Sequence, residues 1–205
     1  MAETVNGLCF ETVDGKLTVR RMDNVLHVEA FKRLRDDQKT PEMCATIVAR
    51  DPFLIDYVPE SLRTPAMCAA VVGFDPWLIK YVPESLRTPA MCAEVVLYAP
   101  RLIKYVPKAL RTPKMCADVV DRDPHLIKRV PKGLRTPKMC ADVVTDLPEL
   151  IRYVPKALRT PAMCLDAVNQ LPDLIVYAPK VILTPEFWRD AIKSNPEVAN
   201  YFYDS

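Results

Sequence analysis

Apolar and polar positions along this chain recur with a period of 24 residues. From Thr40 onward they follow T-P-x-M-C-A-x-V-V-x-x-x-P-x-L-I-x-Y-V-P-x-x-L-R, and Thr-Pro returns at Thr64, Thr88, Thr112, Thr136, Thr160 and Thr184 without insertion. Repetition at such a period marks a solenoid, in which no unit buries its apolar face alone and each closes on its neighbours. Within a unit, Met and Cys are followed four residues later by Val and Val, which is one face of a helix. Leu, Ile and Val come next, and a closing Leu adds to them. In the second unit these positions are Met67, Cys68, Val71, Val72, Leu78, Ile79, Val82 and Leu86.

Proline supplies the punctuation. Thr64-Pro65 pairs an N-cap residue with the residue favoured at the first helical position, where a missing N–H costs nothing. Asp51-Pro52, Asp75-Pro76 and Asp123-Pro124 repeat the same start signal. The third proline, as in Val58-Pro59, ends the second helix, because the residue before proline is pushed out of the α region. Each unit is therefore expected to hold a helix of about nine residues, a helix of about six, and a tight turn into the next Thr-Pro. Helices this short are marginal alone and need packing.

The ends depart from the pattern. Residues 184–205 replace Met-Cys by Phe187-Trp188 and Leu-Ile by Val198-Ala199, as a C-terminal capping repeat would. Residues 1–39 do not match the repeat. Leu8 to Val13 and Lys16 to Arg20 alternate around Asp14-Gly15, a hairpin signal. Asp23 can then cap a helix carrying Val28, Phe31 and Leu34. The expected fold is an all-α solenoid of short helix pairs. A hairpin-plus-helix cap spans 1–39, six repeats span 40–183, and a divergent capping repeat spans 184–205.

Composition refines this picture. Half of the 205 residues are hydrophobic, and 20 Pro stand against 4 Gly, an excess that is periodic rather than low-complexity. No apolar run is long enough for a transmembrane helix, and Met1-Ala2-Glu3-Thr4 does not open a secretory signal. Seven Cys is an odd number, and six of them hold one repeat position, which suits a reducing compartment. The expected location is the cytoplasm, of the chain's own cell or of one it is delivered into.

The string LRTPxMC…P…LIKYVPxxLRTP resembles an uncharacterised bacterial family of tandem repeats of about two dozen residues with a YVPxxLRTPxxC core. The resemblance covers residues 40–183 closely and the last unit loosely. It implies helical modules, some in effector-like proteins, and supplies no catalytic residues.

The Cys column (Cys44, Cys68, Cys92, Cys116, Cys140, Cys164) is read as core. Stacked helices lie about 8–10 Å apart, beyond the reach of a disulfide ladder. One Cys per unit, with only His27 and His125 in the chain, does not supply four converging zinc ligands. Cys9 stands apart, in the hairpin. No nucleophile, zincin or phosphate-loop motif is present, so neither a cofactor, a metal nor catalysis is expected.

Charge and aromatics carry the remaining signal. Residues 40–99 hold 4 Lys and Arg against 7 Asp and Glu, whereas residues 100–183 hold 15 against 8. Stacking turns repeat positions into columns: Lys80, Lys104, Lys128 and Arg152; Lys108, Lys132, Lys156 and Lys180; and Arg63, Arg87, Arg111, Arg135 and Arg159. Asp118, Asp142, Asp166 and Asp190 oppose them on the first helix. The Arg column is expected to pair with Asp between units on a solvated face, whereas the Lys columns can form a basic stripe for an acidic partner. Phe53, Phe74, Trp77, Leu97 and Tyr98 occupy positions that later units fill with Arg101, Asp121, Arg122, His125, Asp146 and Glu149. An apolar group confined to neighbouring units is either a contact site or the seat of the N-terminal segment. The Tyr column (Tyr57, Tyr81, Tyr105, Tyr153, Tyr177, Tyr201) repeats with the fold and is read as structural. The expected function is a non-catalytic scaffold for a protein partner. The alternative is polyanion binding along the Lys columns, to nucleic acid or an acidic surface. Exposed aromatics are not interleaved there as a single-strand binder requires.

Overall fold

The computed structural model describes residues 28–202 in full, together with the backbone of residues 3–5, 8–13, 16–20 and 24–27. The chain is an all-α solenoid in its repeats, preceded by a small antiparallel sheet. The strands are β1 (Glu3–Val5), β2 (Leu8–Val13) and β3 (Lys16–Arg20), in the order β1-β2-β3, with Cys9 opposite Arg20 and Val13 opposite Lys16. The expected hairpin is β2 and β3; β1 was not foreseen. The Asp14-Gly15 turn, the Asp23 cap and the side chains of Cys9, Phe10 and His27 lie outside the described residues.

Among the described residues eight α-helices follow: α1 (Asn24–Arg33), α2 (Pro41–Arg50), α3 (Pro65–Phe74), α4 (Pro89–Tyr98), α5 (Pro113–Arg122), α6 (Pro137–Asp146), α7 (Pro161–Gln170) and α8 (Pro185–Ser194). Every helix from α2 onward opens on Pro. The preceding Thr accepts a hydrogen bond from the backbone N–H three residues on, as Thr136 does from Met139 at 3.1 Å. Thr64 and Thr112 cap in the same way.

The second helix of each unit is a six-residue 3-10 helix, such as Pro76–Tyr81, and in the first five units the closing turn is a three-residue 3-10 helix, such as Glu84–Leu86, whereas the sixth closes on a turn at 180–182. Tight i→i+3 bonding suits segments this short, hemmed by a proline at each end. Asp51 and Asp75 cap their 3-10 helices through Phe53 N–H at 3.0 Å and Trp77 N–H at 2.9 Å. Asp123 does not; it takes Arg101 at 3.2 Å instead.

Two compact units make up the chain, residues 1–91 and 92–205. In the first, α2 packs on α3, and the 3-10 helix Pro52–Tyr57 packs on Pro76–Tyr81. In the second, the α-helices form one row, and the 3-10 helices Pro100–Tyr105, Pro124–Arg129, Pro148–Tyr153, Pro172–Tyr177 and Pro196–Tyr201 form another. The core lies between the rows. Its side chains are those the periodicity picks out: Cys68, Val71 and Ile79 are fully buried in the first unit, and Cys140, Leu102 and Ile127 in the second. Among the described residues no polar or charged residue is buried. In the last repeat Phe187 and Trp188 fill the Met-Cys positions, and Phe202 meets the Trp188 ring edge-on at 5.1 Å.

Candidate functional site

The Arg column is not a solvated face paired with Asp. Each guanidinium lies half-buried and grips backbone carbonyls. Arg135 donates from Nε to the Val130 carbonyl at 3.0 Å, from Nη2 to the same oxygen at 2.8 Å, and from Nη1 to the Tyr153 carbonyl of the following repeat. Arg63, Arg111 and Arg159 reach the carbonyls of Tyr81, Arg129 and Tyr177 in the same manner. Arg87 donates to the Val82 carbonyl at 2.9 Å. Burial pushes Arg111, Arg135 and Arg159 below the usual arginine value, yet arginine stays charged. In Arg135 the planar fork supplies three donors to two carbonyl acceptors. The Asp column pairs elsewhere: Asp118 and Asp142 meet Lys114 and Lys138 of their own helices at 2.7 Å.

One member of this column escaped the sequence reading. Lys39 precedes Arg63 by one period, and its Nζ donates to the Tyr57 carbonyl at 2.8 Å, the same 18-residue reach. The 3-10 helix Asp36–Gln38 stands one period before Glu60–Leu62, and buried Ala30 and Phe31 one period before core Leu54 and Ile55. The segment before Thr40 thus carries the second half of a repeat. At the other end Leu183 takes the Arg position. There Asn195 Nδ2 donates to the Asn169 carbonyl at 2.9 Å.

The six repeat thiols are fully buried. Burial pushes Cys44, Cys68, Cys116, Cys140 and Cys164 up from the ordinary thiol value, against a smaller opposing pull from Lys39, Arg63, Arg111, Arg135 and Arg159. These are neutral core groups, not nucleophiles. Among the described residues no cluster of three or more His, Cys, Asp or Glu is placed to hold a metal ion, and no helix is long and apolar enough to cross a membrane.

The aromatic positions are exposed. In the first unit Phe53 is 54% exposed, Phe74 62% and Trp77 44%. Phe53 and Phe74, from successive repeats, meet edge-to-face at 5.8 Å. In the second unit Leu97 and Tyr98 are 75% and 64% exposed at the end of α4. The described part of α1 engages elsewhere: Lys32 lies 5.4 Å from the centre of the Tyr57 ring, and Phe31 is buried beneath Lys39. Of the polar equivalents, Arg122 has a structural task, donating to the Leu97 carbonyl at 2.7 Å.

No protein-family model, curated protein or solved structure matches the chain.

The Lys columns lie on the 3-10 row. Lys104, Lys108, Lys128, Lys132, Arg152, Lys156 and Lys180 are all exposed in the second unit. Lys104 and Arg152 lie over the rings of Tyr105 and Tyr153 at 4.8 and 5.1 Å, and in the first unit Lys80 lies over Tyr81 at 4.6 Å. Lys80 differs in company, because the neighbouring column positions of its unit are Asp56, Glu60 and Glu84. The Tyr column skips one repeat. Arg129 stands there, exposed between Lys128 and Lys132. That break in a regular column was the signal for a further basic residue.

Proposed function

We propose that the chain is a non-catalytic scaffold whose protein-binding surface is the aromatic group Phe53, Phe74 and Trp77 of the first unit. The edge-to-face pair of Phe53 and Phe74 carries this reading. Two large rings from successive repeats meet in solvent, at positions that later repeats fill with polar residues. Exposed apolar groups of this kind mark interaction surfaces, and Trp is a frequent anchor. The resemblance of the repeat to those of effector-like bacterial proteins suits such a role. The repeat itself is spent on structure: its recurring Met, Cys, Val, Leu and Ile are core, its Thr caps helices, and its Arg joins repeats.

The test compares the full chain with Phe74→Ala and Trp77→Ala variants as bait, with bound proteins quantified by mass spectrometry. A protein retained by the parent and lost by both variants, while a Lys108→Ala/Lys132→Ala/Lys156→Ala chain keeps it, supports the proposal. An unchanged set of bound proteins with both aromatic variants refutes it.

A further inference from the structure

The charge of the second unit is segregated by side. The four 3-10 stretches between residues 100 and 183 (100–111, 124–135, 148–159 and 172–183) hold 12 Lys and Arg against 2 carboxylates, Glu149 and Asp173. The three α-helices between them hold 3 Lys and Arg (Lys114, Arg122 and Lys138) against 5 Asp, namely Asp118, Asp121, Asp142, Asp146 and Asp166. The helix-side lysines Lys114 and Lys138 are neutralised by Asp118 and Asp142. Among the described residues, no ion pair involves Lys108, Lys128, Arg129, Lys132, Lys156 or Lys180.

The cations recur once per repeat, along a row of 3-10 helices stacked side by side. Neighbouring packed helices lie about 8–10 Å apart, so the columns form a ladder of positive charge rather than a pocket. Beside the middle rung the surface is open, since a Cβ at Gly133 would meet nothing within 4 Å. The rings on this side are spoken for: Tyr105, Tyr153 and Tyr177 are half-buried, and each has a cation over it. Among the described residues of this side, His125 is the one ring left exposed, so bases have no series of platforms to stack on, and flexible lysines read charge, not sequence.

We propose that this basic side binds the phosphodiester backbone of double-stranded nucleic acid without sequence preference. A duplex presents closely spaced phosphates along a line and asks for no stacking residues, which matches a row of lysines outside ion pairs and without a series of exposed rings. An acidic protein segment would be the other complement to the charge, but beside Lys108, Lys132 and Lys156 the exposed companions on the closing turns are only Ala109, Gly133 and Ala157, and the exposed apolar side chains Val176 and Val181 are confined to the stretch of Lys180.

The test measures binding of the full chain to a labelled mixed-sequence DNA duplex by fluorescence anisotropy across salt concentrations. Expected is a dissociation constant of about 10⁻⁴–10⁻⁶ M that weakens steeply with salt, log K falling by about 0.9 per log unit of salt for each phosphate neutralised. Lys108→Ala/Lys132→Ala/Lys156→Ala should make that slope shallower by about 2.7, so the affinity lost between about 50 and 200 mM salt shrinks about 40-fold. Lys114→Ala/Lys138→Ala, on the helix side, should leave it unchanged. The fold of both variants is checked by circular dichroism. Absence of duplex binding at low salt overturns the proposal, as does a slope that the triple variant leaves intact. Tighter binding to poly-glutamate, to single-stranded DNA or to phosphatidylserine vesicles than to the duplex also overturns it, in favour of an acidic protein, an unpaired strand or a membrane surface.

Discussion

Truncating one Arg clamp should loosen one joint of the solenoid, and Arg135 is the clearest place to do it. Arg135→Ala removes a guanidinium that serves the Val130 carbonyl within its repeat and the Tyr153 carbonyl of the next. A hydrogen bond to a charged group is worth about 1.5–3 kcal/mol, and a stranded part-buried acceptor costs about as much as it lost. Half-exposure and the guanidinium's own desolvation discount the two-carbonyl total, leaving about 2–3 kcal/mol. In a repeat protein that loss falls on one nearest-neighbour interface. For a chain of this size it corresponds to a fall in Tm of about 5–10 °C. Arg135→Lys is the discriminating variant. Lys39 shows that an ammonium at this position reaches the next repeat's carbonyl, so lysine should keep the joint between repeats and lose the bond to Val130, for about 1 kcal/mol. Urea denaturation gives the totals, and hydrogen exchange at the amides of 149–153 reports the joint itself. Arg135→Ala within about 0.5 kcal/mol of the parent, a change typical of plain surface sites, would refute the clamp. So would Arg135→Lys as damaging as Arg135→Ala.

Other outcomes follow from the same structure. Thr136→Ala removes the cap on Met139 N–H and should cost about 1 kcal/mol in urea denaturation. A thiol reagent should label few of the six repeat Cys before unfolding, and fast labelling of all six in the native state would contradict their complete burial. The thiols of Cys44, Cys68, Cys116, Cys140 and Cys164 are raised in the fold above their ordinary value of 9.0. The folded state therefore holds those protons more tightly than the unfolded chain. Their contribution is complete below about pH 9 and is lost as pH rises through the folded values. The urea midpoint should decline above about pH 9, less steeply in Cys140→Ala.

Much of the fold is legible because its signals are local. Thr-Pro caps and starts each α-helix, and the Met-Cys-Val-Val face follows from a 3.6-residue period. The type of the second helix is not legible in this way: six residues such as Pro76–Tyr81 give too little periodicity to separate i→i+3 from i→i+4 bonding. The Arg column misleads for another reason. Arg63 and Asp118 are complementary in charge, but Arg63 chooses carbonyl oxygens, and backbone acceptors leave no trace in residue identity. Lys39 was hidden because Phe31, Asp36 and Lys39 share positions but not residue types with the repeat that follows. For the site, exposure of Phe53, Phe74 and Trp77 could be inferred from their variation between repeats. The segregation of charge onto the 3-10 row could not be seen until the rows were known.

The 18-residue reach of the clamp gives the chain a grammar. Arg63, Arg111, Arg135 and Arg159 each offer a donor forward, and the repeat that follows each offers an acceptor backward. The opening segment speaks only the donor half, through Lys39, and the closing repeat is entered through Leu183 without that word. Excision of residues 112–135 would bring Arg111 to the carbonyl of Tyr153 at the spacing it now keeps to Arg129, and duplication of the same stretch would preserve it as well. Removal of 23 residues or of 25 would put the donor out of register and the core side chains with it. Such a protein can grow or shrink only in whole sentences, and its length is free to change where its period is not.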